Sequence, residues 1–251
     1  MKSLDNLDRF ALKKAIEEEV KSLSGLDKSE QIKSTLFDKQ LNFFINPAKK
    51  KALVCSRRAG KTHIGAVKLI LSALSTPGSL SGLIVPIRMV AKLVVWPELK
   101  RLNAAFELGA DFRETDLTVL FPNGSKILLA GADDIGQVDK FRGPKYQFIW
   151  LDEGGTWGHY ITELIEEVLE PALMDLQGEL WLTGTPNAAC VGMFHDITNS
   201  KSIQGWYVGE KWTLLENPHL PHARQWLDDK IRANGWTDDN PVLRREYRGQ
   251  W

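Results

Sequence analysis

The segment that most restricts the fold is CSRRAGKT (55–62), set between the apolar run ALVCS (52–56) and an amphipathic stretch carrying Ile64, Val67, Leu71 and Leu74 on one face. The first reads as a short buried strand and the second as a helix ending at TPG (76–78). A strand that turns directly into a helix through such a loop points several backbone N–H groups, and the helix N-terminus, at one spot. Anions gather there. Gly60 permits close approach, Lys61 has the reach for β- and γ-phosphates, and Thr62 offers a hydroxyl to Mg²⁺, so the expected ligand is ATP with Mg²⁺. Ser56, Arg57, Arg58 and Ala59 complete the phosphate-facing loop, while Cys55 stands where such loops usually carry glycine.

The rest of the chain supplies an α/β frame for that junction. GLIVP (82–86), FIWLDE (148–153) and ELWLTGT (179–185) read as buried strands, and WYVGEKW (206–212) as a last one. DLTVLFPNGSKILLAG (116–131) alternates on both sides of Asn123-Gly124, a hairpin signal. Helical patterns fall between strands: one runs to about Gly109 with an interruption expected at Pro97, another spans Ile161–Leu176. Strands alternating with helices predict a mainly parallel sheet with helices on both faces. Residues 1–46 read as an N-terminal helical segment: an amphipathic helix over 4–23, a break at SLSGLDKSE (22–30), then a short helix to about Asn46. A hairpin packed on the core suits this segment better than a partner-docking arm. Residues 47–251 form the P-loop domain.

Three further segments carry chemistry. FIWLDE would end a central strand with Asp152 beside Mg²⁺ and Glu153 placed to orient and deprotonate a water. Alone, such a run is often a strand ending in solvent; downstream of a phosphate loop it becomes the complement of that loop. LTGTPN (182–187) would put Thr183, Thr185 and Asn187 beside the γ-phosphate, where they could sense its loss, although Gly-Thr-Pro by itself is more often a turn. Gln40, in FDKQ, has the paired donor and acceptor to read an adenine edge, against the plainer reading of a surface glutamine.

Composition narrows the partners. The 32 basic and 32 acidic side chains among 251 residues cancel, so contact with nucleic acid requires a local patch. Lys49, Lys50 and Lys51, and the later group Arg224, Lys230, Arg232, Arg244, Arg245 and Arg248, are candidates, with a solvated face the simpler reading of each. Cys55 and Cys190 lack metal-ligand spacing, and no signal core or stretch of membrane-spanning length is present, so a soluble intracellular protein is expected.

SRRAGKT with its internal arginine, FRG shortly before WLDE, LTGTPN and a terminal EYRGQW together resemble the large subunit of tailed-bacteriophage terminases from about Gln40 onwards. The resemblance implies a P-loop NTPase of the additional-strand, catalytic-glutamate type. It also implies a motor that drives double-stranded DNA through a portal protein into a capsid, working as a homo-oligomeric ring with a small terminase subunit in the host cytoplasm. Arg57 then matches the family's P-loop arginine, a role Arg58 could share, and Arg142 matches one that acts across a subunit boundary. Family members carry a nuclease domain after the ATPase; EYRGQW resembles the lead into it, so an ATPase half without nuclease activity is expected. The alternatives are a helicase-like translocase and a nucleotide-dependent switch. The first needs a second RecA-like domain, and the second has little use for Glu153.

Overall fold

In the computed structural model, residues 28–132, 135–199 and 205–251 are described. The strands are β1 (Lys50–Val54), β2 (Leu80–Val85), β3 (Asp111–Arg113), β4 (Thr118–Leu120), β5 (Lys126–Gly131), β6 (Tyr146–Leu151), β7 (Glu179–Gly184) and β8 (Tyr207–Val208). They form one sheet in the order β3-β4-β5-β2-β6-β7-β1-β8. From β5 to β8 every pairing is parallel, and only the β3-β4-β5 edge is antiparallel. The Asn123-Gly124 hairpin is therefore real, and its second strand also joins the parallel sheet. Because β7 lies between the phosphate-loop strand β1 and the Asp-Glu strand β6, the sheet has the additional-strand arrangement that the sequence led us to expect.

Alternation along the strands divides the core. Leu53, Leu83, Phe148, Trp150 and Trp181 face the helices α1 (Asp38–Ile45), α2 (Lys61–Ser75) and α3 (Trp96–Ala105). Ala52, Ile84, Ile149, Leu151 and Leu182 face α4 (161–174) and α5 (Met193–Asn199) on the other side. Helix α2 lies close on β6 because Gly65 meets the Trp150 ring; a Cβ there would stand 2.4 Å from the indole. After the 3₁₀ turn Leu214–Glu216, helix α6 (Ala223–Asn234) and the turn Leu243–Tyr247 build a small separate core around Leu214, Ala223, Leu227 and Leu243.

Several expectations need correction. Pro97 interrupts nothing: the helix runs from Arg88 to Ala105, and a π-helical turn at Ala91–Val95 sits immediately before Trp96 and Pro97. The wider turn absorbs the missing N–H and the ring of proline. Pro171 follows a second such turn, Leu164–Leu169. The N-terminal segment shows helices at 28–33 and at Asp38–Ile45, while the amphipathic stretch 4–23 lies outside the described residues. No described helix is long and apolar enough to cross a membrane.

Lys51 is no solvated residue. It is fully buried in β1, with Nζ 3.0 Å from the Phe44 carbonyl and 3.6 Å from Glu179 and lying over the Trp181 ring. It satisfies carbonyls at the end of α1 that the helix leaves unpaired. Burial lowers its pKa from 10.5 to about 8, against the pull of Glu179. Between those values the unfolded chain binds the extra proton, so folding stability should rise with pH across that window, by on the order of 1–3 kcal/mol. Below about pH 8 the cost of the buried ammonium is fully present. Denaturant midpoints of wild type and Lys51→Met, compared at pH 7.5 and 10, check this. A rise of equal size in both proteins would assign it to other groups.

Candidate functional site

Parallel register brings three strand ends to one level. Val54 pairs with Gly184 and Leu151 with Leu182, so the loop after β1, the end of β7 and Asp152-Glu153 after β6 meet. The Cys55 N–H continues the ladder onto the Gly184 carbonyl at 3.1 Å. Gly60 then takes a left-handed conformation, φ 89°, and α2 starts at Lys61.

Lys61 Nζ donates to the Ser56 carbonyl at 2.7 Å and to Thr185 Oγ1 at 3.2 Å, linking the loop to the end of β7. Thr62 lies beside it in the first turn of α2. Asp152 is buried and accepts a 2.6 Å bond from Thr183 Oγ1, which in turn accepts from Trp150 Nε1 at 2.7 Å. Burial pushes its carboxyl above the usual value, opposed by the Thr183 bond and the Lys61 charge.

Glu153 has φ 59° and ψ 41°, a region L-residues enter at a cost and one that recurs at functional sites. Its neighbours hold it there: both the N–H and the hydroxyl of Thr156 donate to its carbonyl at 2.8 Å, and Trp157 Nε1 donates to the Asp152 carbonyl at 2.8 Å. Gly154 and Gly155 let this turn press against β7, since a Cβ on Gly155 would come within 2.3 Å of the Thr185 carbonyl. Burial first, then the Asp152 charge, raises the Glu153 pKa, while Lys61 and Arg57 oppose the shift. A half-buried carboxylate with a raised pKa among cations is suited to accept a proton near neutral pH.

The loop is held from outside by residues far along the chain. Trp212 Nε1 donates to the Ala59 carbonyl at 2.6 Å, Asn217 Nδ2 to the Arg58 carbonyl at 2.9 Å, and the Leu214 N–H to Ser56 Oγ at 2.8 Å. Arg57 pairs with Glu246, and Gly249 packs so closely that a Cβ there would stand 2.9 Å from the Ser56 nitrogen. No local sequence signal marks Trp212, Asn217 or Glu246, because their partners lie more than 150 positions away. Ser56 and Ala59 are buried with their side chains turned inward, whereas Arg57 and Arg58 are exposed.

Gln40 is 1% exposed and is placed under the loop. Its Nε2 donates to the Gly60 carbonyl at 3.0 Å, and its Oε1 accepts the Phe37 N–H at 3.3 Å. It is thus no surface glutamine. Beside it lies a cavity of about 320 Å³ lined by Phe37, Asp38, Lys39, Glu216 and Pro218. Lys39 bridges Glu210 and Glu216 at 2.7 and 2.6 Å, which holds its ammonium well above the usual range.

Two expected site residues lie elsewhere. Asn187 is taken up by its own turn, accepting from the Cys190 N–H at 2.7 Å and donating to the Val191 carbonyl at 3.1 Å. Arg142 sits before β6 rather than at its far end. Its side chain folds back onto Asp139 (2.6 Å) and the Glu167 carbonyl (3.0 Å), so the Gly143-Pro144 bend does not project it outward.

A family model described as "Terminase large subunit, T4likevirus-type, N-terminal" matches residues 52–162, which include the phosphate loop and the Asp-Glu strand. The fold is that of the large terminase ATPase domain of Thermus phage P74-26, with TM-score 0.66 and 19% identity over 86% of this chain and 93% of that one. It is also that of the large terminase of a thermophilic bacteriophage in complex with ADP (TM-score 0.70, 16% identity). A third match is the HK97 bacteriophage large terminase (TM-score 0.64, 15% identity). Each of the latter two matches covers 86% of this chain, which spans 54% and 50% of those two proteins respectively. No curated protein matches the sequence.

Proposed function

We propose that this chain, whose residues 52–162 belong to the large-terminase N-terminal family, is the ATP-hydrolysing motor domain of a viral DNA-packaging machine. One observation carries the reading. Lys61 touches both the phosphate loop and Thr185, while Asp152 and Glu153 emerge from the strand on the other side of β7.

In this reading the loop N–H groups and Lys61 bind the β- and γ-phosphates, with Arg57 and Arg58 at the outer rim. Gln40 braces the loop and borders the cavity beside it, which would take the base. Thr62 and Asp152 would hold Mg²⁺, which neutralises developing phosphoryl charge. No group of three or more His, Cys, Asp or Glu residues able to hold a metal occurs among the described residues. One carboxylate, a hydroxyl and the nucleotide's own oxygens make the shared shell in which Mg²⁺ is usually carried. Burial disfavours the Asp152 carboxylate, and an adjacent cation would restore it. Glu153 orients water and takes its proton; Thr183 and Thr185 tie the two charged centres to one strand. Asn187 could join them only by leaving its turn.

The wider assignment follows the family match and the likeness to the phage terminase solved with ADP: double-stranded DNA as the track, a homo-oligomeric ring, a portal protein and a small terminase subunit as partners, in the host cytoplasm. Residues 1–46 are proposed as an accessory helical segment and 47–251 as the ATPase. Lys61→Ala tests the core of this. The variant should bind ATP at least tenfold more weakly by calorimetry and lose steady-state phosphate release, because the charge on the β/γ oxygens is gone. ATP affinity equal to wild type would sink the assignment.

A further inference from the structure

Arg57 leaves the phosphate loop with its side chain 70% exposed, yet its backbone and its side chain are both held by one position. Its N–H donates to the Glu246 carbonyl at 2.8 Å, and its guanidinium pairs with the Glu246 carboxylate. Glu246 itself is only 16% exposed and has a second cationic partner, Arg245, whose Nε lies 2.8 Å from Oε1. The two arginines use different oxygens, Arg57 on Oε2 and Arg245 on Oε1. Glu246 can therefore release Arg57 without becoming an unpaired, largely buried charge, the outcome that normally makes breaking such a pair costly. Burial works against the Glu246 carboxylate, but the bonds from Arg245 and Arg57 hold its pKa below the usual value. Arg57 also lies in the field of Glu153, so its position bears on the site.

Resting on the ATPase reading above, we propose that Glu246 is a positioning residue that parks Arg57 against the C-terminal unit and competes with the nucleotide's terminal phosphate for it. When a phosphate anion arrives, the guanidinium passes from the carboxylate to the phosphate oxygens and Arg245 alone neutralises Glu246. The parked state favours empty or product-bound sites; the transferred state accompanies the triphosphate.

A purely structural staple is the competing account. The C-terminal unit has its own core, and Leu214, Asn217 and Trp212 anchor it to the loop independently of the Glu246 side chain. Competition and stapling predict opposite signs. Under competition, Glu246→Gln weakens the hold on Arg57 and should tighten binding of a slowly hydrolysed ATP analogue, measured by calorimetry, by about two- to fivefold, as suits a half-exposed ion pair. Arg245→Ala leaves Arg57 as the remaining partner and should weaken binding by a similar factor. Glu246→Asp, which keeps the charge, should stay near wild type. In an Arg57→Ala background neither Glu246→Gln nor Arg245→Ala should change affinity. Weaker binding in Glu246→Gln, or an effect that persists without Arg57, would overturn the proposal. Should Glu246→Gln fail to fold, the sign of the Arg245→Ala effect and its dependence on Arg57 decide alone. A wild-type protein insensitive to Lys61→Ala would instead refute the ATPase reading beneath it.

Discussion

A Glu153→Gln variant should bind ATP about as well as wild type while releasing phosphate about 10²–10⁴-fold more slowly. The substitution keeps size and leaves the φ 59° turn bonded by Thr156 and Trp157, so the frame should persist. What goes is the group able to take a proton from water. The pH profile tests the same residue in the wild type. Burial and the Asp152 charge raise the Glu153 pKa, so its proton leaves at a higher pH than that of a free glutamate. A base must be ionised to act; kcat/KM should therefore climb as pH rises through that raised value, and the climb should be absent from the residual activity of Glu153→Gln. A loss below tenfold, or an unchanged profile, would remove Glu153 from the role of base.

Arg142→Ala should lose about 10³–10⁵-fold in turnover, the range for an arginine supplied across a subunit boundary, with ATP affinity nearly unchanged. Within its own chain Arg142 reaches Asp139 and Glu167, on the flank of the sheet, and touches none of Lys61, Asp152 or Glu153. Its side chain is 45% exposed, so a neighbouring subunit could engage it once the Asp139 pair opens. The planar fork of arginine suits spreading phosphoryl charge better than lysine would. Specific activity of the wild type should accordingly rise with protein concentration. Mixing Arg142→Ala with Glu153→Gln should restore turnover, since intact arginines of one variant can serve intact sites of the other. A mixture that stays inactive under conditions where wild-type subunits assemble would count against action in trans.

The parts of the site legible in the sequence are those whose partners are set by strand periodicity. ALVCS, FIWLDE and ELWLTGT declare buried strands, and once strands are parallel their C-terminal ends must gather, bringing Lys61, Asp152, Thr183 and Thr185 together. What could not be read depends on tertiary contact. Lys51 looks like one of three solvated lysines until β1 is known to be central and its ammonium is seen beneath α1. Pro97 looks like a break because helix rules assume α-helical spacing, and the π turn before it escapes that rule. Glu246 and Trp212 carry no local signature, since their meaning comes from the chain returning to the loop after the sheet is complete.

The bonds around Thr183 have a kinetic consequence. An indole N–H can only donate, so Trp150 must give its proton to Thr183, and the single hydroxyl proton of Thr183 must then go to Asp152. The direction of the relay is settled by the chemistry of its first member. Asp152 consequently keeps one oxygen tied and one facing away from Thr183 before anything binds. A cation arriving there meets a carboxylate that has no rotation to undergo and no competing hydroxyl to displace. The reorganisation that a flexible carboxylate would undergo in every cycle is completed once, when the chain folds.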